Sequence, residues 1–333
     1  MSQTSREELF PSPPGISKTL SGLYLDAQTR ELLHHYITTV SISIAGNREP
    51  KIWLVSVPQL GLEYPFVLSS MLAISALHLA TLLPQRQNEL QNSAIMQESA
   101  AMPSFRASFD NPDTESIHAI FAFAGSLVYY ILALPEDAGR NIDRCRIPSR
   151  YEEYPHWFQA IRGFMALLSN YWDDLTKGPF APLLHPDSSL GLGSENTDDR
   201  HLAKLDEMLE PPPLEFYSSQ VHLSQDLQKL KVCKGALIEL RRIFALLYLP
   251  SRPYGEALLR VWLGNVSQEF VELIYERDPR ALVIMAHYCV LCKRSNHVWY
   301  LKGLGSGLLE NIRQALGDEW HPWIRWPIEQ PTY

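Results

Sequence analysis

The chain has 333 residues, 46% of them hydrophobic and 20% charged, which supports a sizeable core and excludes general disorder. At roughly 150 residues per domain the length allows about two domains. The 29 basic against 37 acidic residues give a formal charge of −8, and without a basic cluster such a balance argues against independent nucleic-acid binding.

The first 22 residues are rich in Ser, Pro and Gly and read as a mobile leader. They lack the basic-then-apolar order of a signal peptide. The expectation is an intracellular protein, cytoplasmic or nuclear, with no basic localisation run to separate the two. From Asp26, a suitable N-cap, Leu32, Leu33, Tyr36, Ile37 and Val40 recur at helical spacing. A loop with Gly46 and Pro50 follows, then the segment Trp53–Pro65. Pro65 suits the first turn of an apolar helix that Pro84 closes. Residues Gln85–Asn111 read as a helix and a loop punctuated by Pro103. An apolar helix spans Ile117–Leu134, and His156–Leu175 reads as one amphipathic helix with Trp157, Ile161, Phe164, Leu168 and Trp172 on a broad face. Residues 177–213 form the least structured interval, a long loop or linker. Helical periods resume over Ser218–Tyr248, Tyr254–Tyr275, Pro279–Leu301 and Gly305–Leu316. With no sustained alternation of period two, the fold class expected is all-α: a compact helical domain of eight or more helices over residues 23–333, with a hydrophobic pocket.

Two stretches without Asp, Glu, Lys or Arg, Phe66–Leu83 and Ile117–Leu134, nearly reach membrane-spanning length. Each contains histidine and hydroxyl groups, and mean hydropathy over the chain is −0.14, so both are read as core helices and no membrane partner is expected.

The four cysteines, Cys145, Cys233, Cys289 and Cys292, are too few and scattered for a disulfide framework. Cys289 and Cys292 have the spacing of a metal or redox pair, but zinc needs four ligands and no second pair exists. Inside the apolar run ALVIMAHYCVLCKR they read as core, and no metal or other cofactor is expected. His34, His35, His287 and His297 invite metal or acid–base readings. On one helix His287 and His297 would face about 80° apart and not share an ion, so His287 reads as a buried neutral histidine or as a polar group on an apolar pocket. Asp173-Asp174 has the look of a magnesium-binding pair of terpene cyclases but lacks the second acidic cluster, and reads as a solvated turn. No nucleophile elbow, phosphate loop or zinc-protease motif is present. Eight tryptophans and fifteen tyrosines imply bulky helix contacts or a large apolar cavity with polar rims.

The run Ala281–Pro327 is the most specific segment. With its AHY-ending helix (Ala281–Tyr288), its tryptophan-bearing segment (His297–Trp299) and its closing EWHPWIRWP (Glu319–Pro327), it resembles the end of the regulatory domain of fungal Zn2Cys6 transcription factors of the sterol uptake control type. Val57–Ala80, His156–Leu168 and Leu246–Pro253 are similar to other parts of that domain, so the resemblance extends from about Leu25 to Pro327. It implies an all-α domain with a hydrophobic pocket for a sterol or similar lipid, often dimeric. The family's DNA-binding module needs six cysteines near its N-terminus, and this sequence has none before Cys145.

Three readings follow. The chain is a regulatory domain that binds a sterol, terpenoid or other hydrophobic metabolite and acts through a homodimer or a partner regulatory protein without touching DNA itself. Alternatively the pocket is a cofactor-free enzyme of secondary metabolism, a cyclase, pericyclase or isomerase acting on a polyene or terpenoid. Or the chain is a fragment of a longer zinc-cluster factor, against which its polar leader after Met1 weighs. The pocket-lining residues expected are Phe121, Tyr129, Trp157, Phe164, His287, Tyr288 and Trp299, each bulky or polar-tipped on an apolar helix. In the enzyme reading His287 and Tyr288 would supply a hydrogen bond or proton to a polarised carbonyl.

Overall fold

A computed structural model of the chain describes residues 26–45, 50–134, 144–148, 157–184, 196–211, 213, 220–248 and 255–333. The expected leader, His156, Tyr254 and part of the interval 177–213 lie outside the described residues. Among those described, all regular structure is helical with no strand, and the helices exceed eight. The chain divides into two compact units, residues 1–123 and 124–333.

In the first unit, Asp26 caps α1 (Ala27–His35) by accepting from the Thr29 N–H at 2.7 Å. A wider π-helical turn, Tyr36–Val40, continues it and buries Tyr36 and Val40. After a second such turn (Ile52–Ser56) come α2 (Val57–Glu63) and α3 (Pro65–Leu82), with Pro65 in the first turn of α3 where its missing N–H costs nothing. The helix α3 is buried over most of its length, as expected of a core helix. It is pinned to α1 by the Ser75 hydroxyl, which donates to the Leu32 carbonyl at 2.6 Å. The α3–α4 turn is held to α1 by the fork of Arg86 on Glu31, at 2.7 and 3.0 Å.

The helix α4 (Gln87–Asp110) runs straight through Pro103, where the sequence suggested a helix and then a loop. The proline removes one hydrogen-bond donor, and the helix holds because Leu90, Ala94, Glu98 and Ala101 form one buried stripe. Phe105 on α4 stacks on Phe123 at 4.3 Å, and Phe66 meets Phe123 edge-on at 5.6 Å. Phe123 lies on α5 (Ser116–Ala133), the helix within which the unit boundary falls. This helix too is mostly buried.

The second unit is organised on α12, introduced here with its neighbours: α6 (Trp157–Asn170), α7 (Asp199–Ala203), α8 (Leu205–Met208), α9 (Gln220–Leu246), α10 (Gly255–Asn265), α11 (Gln268–Tyr275), α12 (Pro279–Arg294), α13 (Leu304–Ala315) and α14 (Arg325–Glu329). Every residue of α12 from Ala281 to Lys293 is buried, as in a helix surrounded on all sides. Asp278 caps it, accepting from the Arg280 N–H at 3.0 Å, and Pro279 opens it. The helix α13 crosses α12 at Gly305, where an added Cβ would lie 2.6 Å from the Lys293 backbone nitrogen. Only glycine permits that approach.

Three helix ends differ from expectation. Tyr254–Tyr275 breaks at Ser267, whose hydroxyl accepts from the Phe270 N–H and caps α11. The 279–301 helix stops at Arg294, because the Asn296 side chain accepts from the N–H of Gly303, a residue with φ of 83°, and folds the chain back. His297 is therefore not on the His287 helix. Helix α6 ends at Asn170, a separate turn holds Trp172–Leu175, and the buried face is Trp157, Phe158, Ile161 and Leu167, with Trp172 exposed.

Glu98 occupies a core position of α4 at 6% exposure, and neither carboxyl oxygen has a protein partner among the described residues. Burial pushes its pKa up to about 7. The unfolded chain ionises there at an ordinary carboxylate pKa, so it holds fewer protons than the fold between these values. Stability then falls as pH rises from about 4.5 to 7, by roughly 3 kcal/mol. Glu98→Gln is expected to remove that loss and to raise stability at pH 8. Urea unfolding at pH 5 and pH 8 checks this, and an equal pH dependence in both proteins would contradict it.

Candidate functional site

The cysteines and acidic pair settle simply. All four cysteines are buried. Burial pushes Cys233 and Cys292 up to about 12 and Cys289 well above its ordinary value, so they are inert core groups. Asp173 is exposed in the short turn Trp172–Leu175. No group of three or more His, Cys, Asp or Glu side chains converges on a metal position among the described residues. His35 on α1 pairs instead with His78 on α3, Nε2 to Nδ1 at 2.8 Å. Burial lowers both, His78 to about 4, so the pair is neutral.

Two spaces among the described residues of the second unit bear on the expected site residues. Trp157 and Tyr288 line the smaller, about 10 Å³, which holds one water at most. Its walls are tightly made: Tyr288 stacks on Trp262 at 4.6 Å, and the Trp157 Nε1–H donates to the Arg144 carbonyl at 2.8 Å. Tyr129 meets Tyr300, another lining residue, at 5.0 Å and carries the Arg260 guanidinium over its ring. These aromatics make a packed core.

The larger space is a cleft of about 350 Å³ between α7–α8, α12 and the C-terminal segment. Its floor holds His287, 1% exposed. Its walls include Leu205, Trp323 and Trp326, with Lys204, Glu207, Arg325 and Glu329 at the rim. The Trp326 indole lies nearly parallel to both histidine rings, at 4.8 Å from His201 and 5.5 Å from His287. The His287 Nδ1–H donates to the Val283 carbonyl at 2.9 Å, one turn back on its own helix. Burial holds this imidazole neutral, with a pKa pushed down to about 4. His201 is also lowered, by burial and then by Arg200 and Lys204.

The C-terminal wall is fastened at the end of α12. The Lys293 ammonium donates to the Pro327 carbonyl at 3.0 Å and to the Ile328 carbonyl at 3.3 Å. Arg294 grips Asp198 with two bonds, 2.6 and 3.0 Å, and Tyr248 donates to the same carboxylate at 2.9 Å. Asp198 immediately precedes α7, so one carboxylate ties α12, the turn after α9 and the opposite wall together.

Of the residues expected from sequence, the structure brings Tyr129, Trp157 and Tyr288 into one packed cluster and puts His287 alone in the cleft. Although adjacent in the chain, His287 and Tyr288 face different spaces, as neighbours 100° apart on a helix do. Phe164 and Trp299 are half-buried, and Phe121 is buried in the first unit. His201, Lys204, Trp323 and Trp326 escaped the sequence reading. The tryptophan-dense ending was visible, but the short helix it faces was not.

Comparison with known proteins decides the kinship. The chain is 24% identical, over 95% of its length, to a Zn(2)-C6 fungal-type transcription factor of Gibberella zeae. It is 23% identical to sterol uptake control protein 2 of Candida albicans over 92% of its length, and to that of Saccharomyces cerevisiae over 86%. The chain is a homologue of fungal zinc-cluster transcription factors. It spans 65%, 42% and 30% of those three proteins. No family model matches it.

The ion pair at the end of α12 carries a testable consequence for this homologue. Removing one partner of a mostly buried pair leaves the other charge uncompensated, so Asp198→Ala should lose roughly 2–3 kcal/mol. Limited proteolysis should then cut the variant early in 198–208, the segment that Asp198 ties to α12. Wild-type stability with an unchanged cleavage pattern would mean that this clamp does not hold the wall.

Proposed function

We propose that this chain is a transcription-factor-like regulatory domain that binds a hydrophobic metabolite, a sterol or terpenoid, in the cleft between α7–α8, α12 and the C-terminal segment. It acts inside the cell, in cytoplasm or nucleus, through a second copy or a partner regulatory protein. The six-cysteine cluster that would contact DNA is not within these 333 residues, so in this reading DNA contact comes from another chain or from another segment of a longer one.

The observation that carries the reading is the cleft itself. Its 350 Å³ falls within the size range of small-molecule sites. Two tryptophans and a leucine supply apolar wall, and one buried neutral histidine supplies a polar point. The names of the Candida and Saccharomyces relatives point to sterol as the first ligand to test.

Native mass spectrometry of the purified chain, incubated with a fungal lipid extract, should retain one neutral lipid at equal stoichiometry and release it unmodified. Trp326→Ala should lower the retained fraction about tenfold, since it deletes a large stacked wall. A retained compound released as an isomer with a new retention time would instead indicate catalysis. An extract from which nothing is retained would refute the ligand reading.

A further inference from the structure

The rim and floor of the cleft carry more chemical information than its size. Its charged lining side chains are two cations, Lys204 and Arg325, and two anions, Glu207 and Glu329. Arg325 pairs with Glu329 at 2.7 Å. The cleft thus has no surplus charge for a carboxylate, a phosphate or an ammonium group, and a neutral guest fits it best.

The floor fixes the guest's polarity more narrowly. A carbonyl only accepts hydrogen bonds, so the bond to Val283 puts the His287 proton on Nδ1. The other nitrogen, Nε2, then offers a lone pair. It has no partner among the described residues, and it is not among the buried side-chain atoms sealed off without one. Burial keeps the ring neutral from pH 8 down past pH 5, so Nε2 remains an acceptor throughout that range. We infer that the cleft admits a neutral apolar alcohol, hydroxyl end first, whose O–H donates to Nε2 of His287 beside the Trp326 indole. This rests on the ligand reading above and narrows it to one functional group. An aldehyde, ketone, ether or ester at that position would face one acceptor with another, leaving both desolvated and unpaired.

Matched pairs test this without changing the bulk of the guest: farnesol against farnesal, and ergosterol against the ketone oxidised at its hydroxyl-bearing carbon. Wild-type protein should bind the alcohol of any pair it accepts at least about tenfold more tightly than the carbonyl compound. His287→Phe, which keeps a ring against Trp326, should bind both members within about twofold of each other. As a measurement independent of any variant, the ¹⁵N resonance of Nε2 should shift on adding the alcohol and stay fixed on adding the carbonyl compound. If the wild type binds alcohol and carbonyl equally, or if the preference persists in His287→Phe, the inference fails while the ligand cleft stands. If neither member of either pair binds, the cleft reading falls with it.

Discussion

A helix buried on every side has no surface on which to leave a charge, yet α12 ends in Lys293 and Arg294. Both are satisfied by the C-terminal segment and its surroundings: the ammonium by the carbonyls of Pro327 and Ile328, the guanidinium by Asp198. The need to solvate these two cations within the protein sets where the segment around Pro327 must pass and where α7 must begin. The two walls that result, α7–α8 on one side and Trp323–Glu329 on the other, leave the cleft between them. Its floor is the face of α12 that carries His287.

The same helix separates two roles that the sequence runs together. On one side Tyr288 is locked against Trp262 in a core with room for no more than a water molecule. On the other, His287 opens to a space thirty-odd times larger. The helical rotation of 100° per residue makes a joint action of the two side chains on one guest unfavourable geometrically. Binding through a single buried acceptor needs only His287, and this favours recognition over acid–base chemistry as the use of the site.

Local sequence signals made most elements legible: Asp26 caps a helix, Pro65 opens one, and the apolar run around Cys289 is a buried helix. Reading failed where one residue contradicted its environment. Pro103 and the core-facing Glu98 hid the length of α4, because a proline reads as an end and a glutamate as an exposed position. The reading of 279–301 as one helix failed because Asn296 and Gly303 interact across seven residues, a tertiary event without a periodic signature. The cleft was legible only at His287. His201 and Trp326 lie 125 positions apart, and nothing in local pattern says that their rings meet.

In the proposed function a guest binds between α7–α8 and the C-terminal segment over the floor of α12. Hydrogen–deuterium exchange of the whole chain, with and without a saturating apolar alcohol, addresses it most directly. Slower exchange should concentrate in residues 199–208, 283–288 and 318–330. Protection centred instead on Trp157, Tyr288 and Tyr300, with residues 318–330 unchanged, would contradict it.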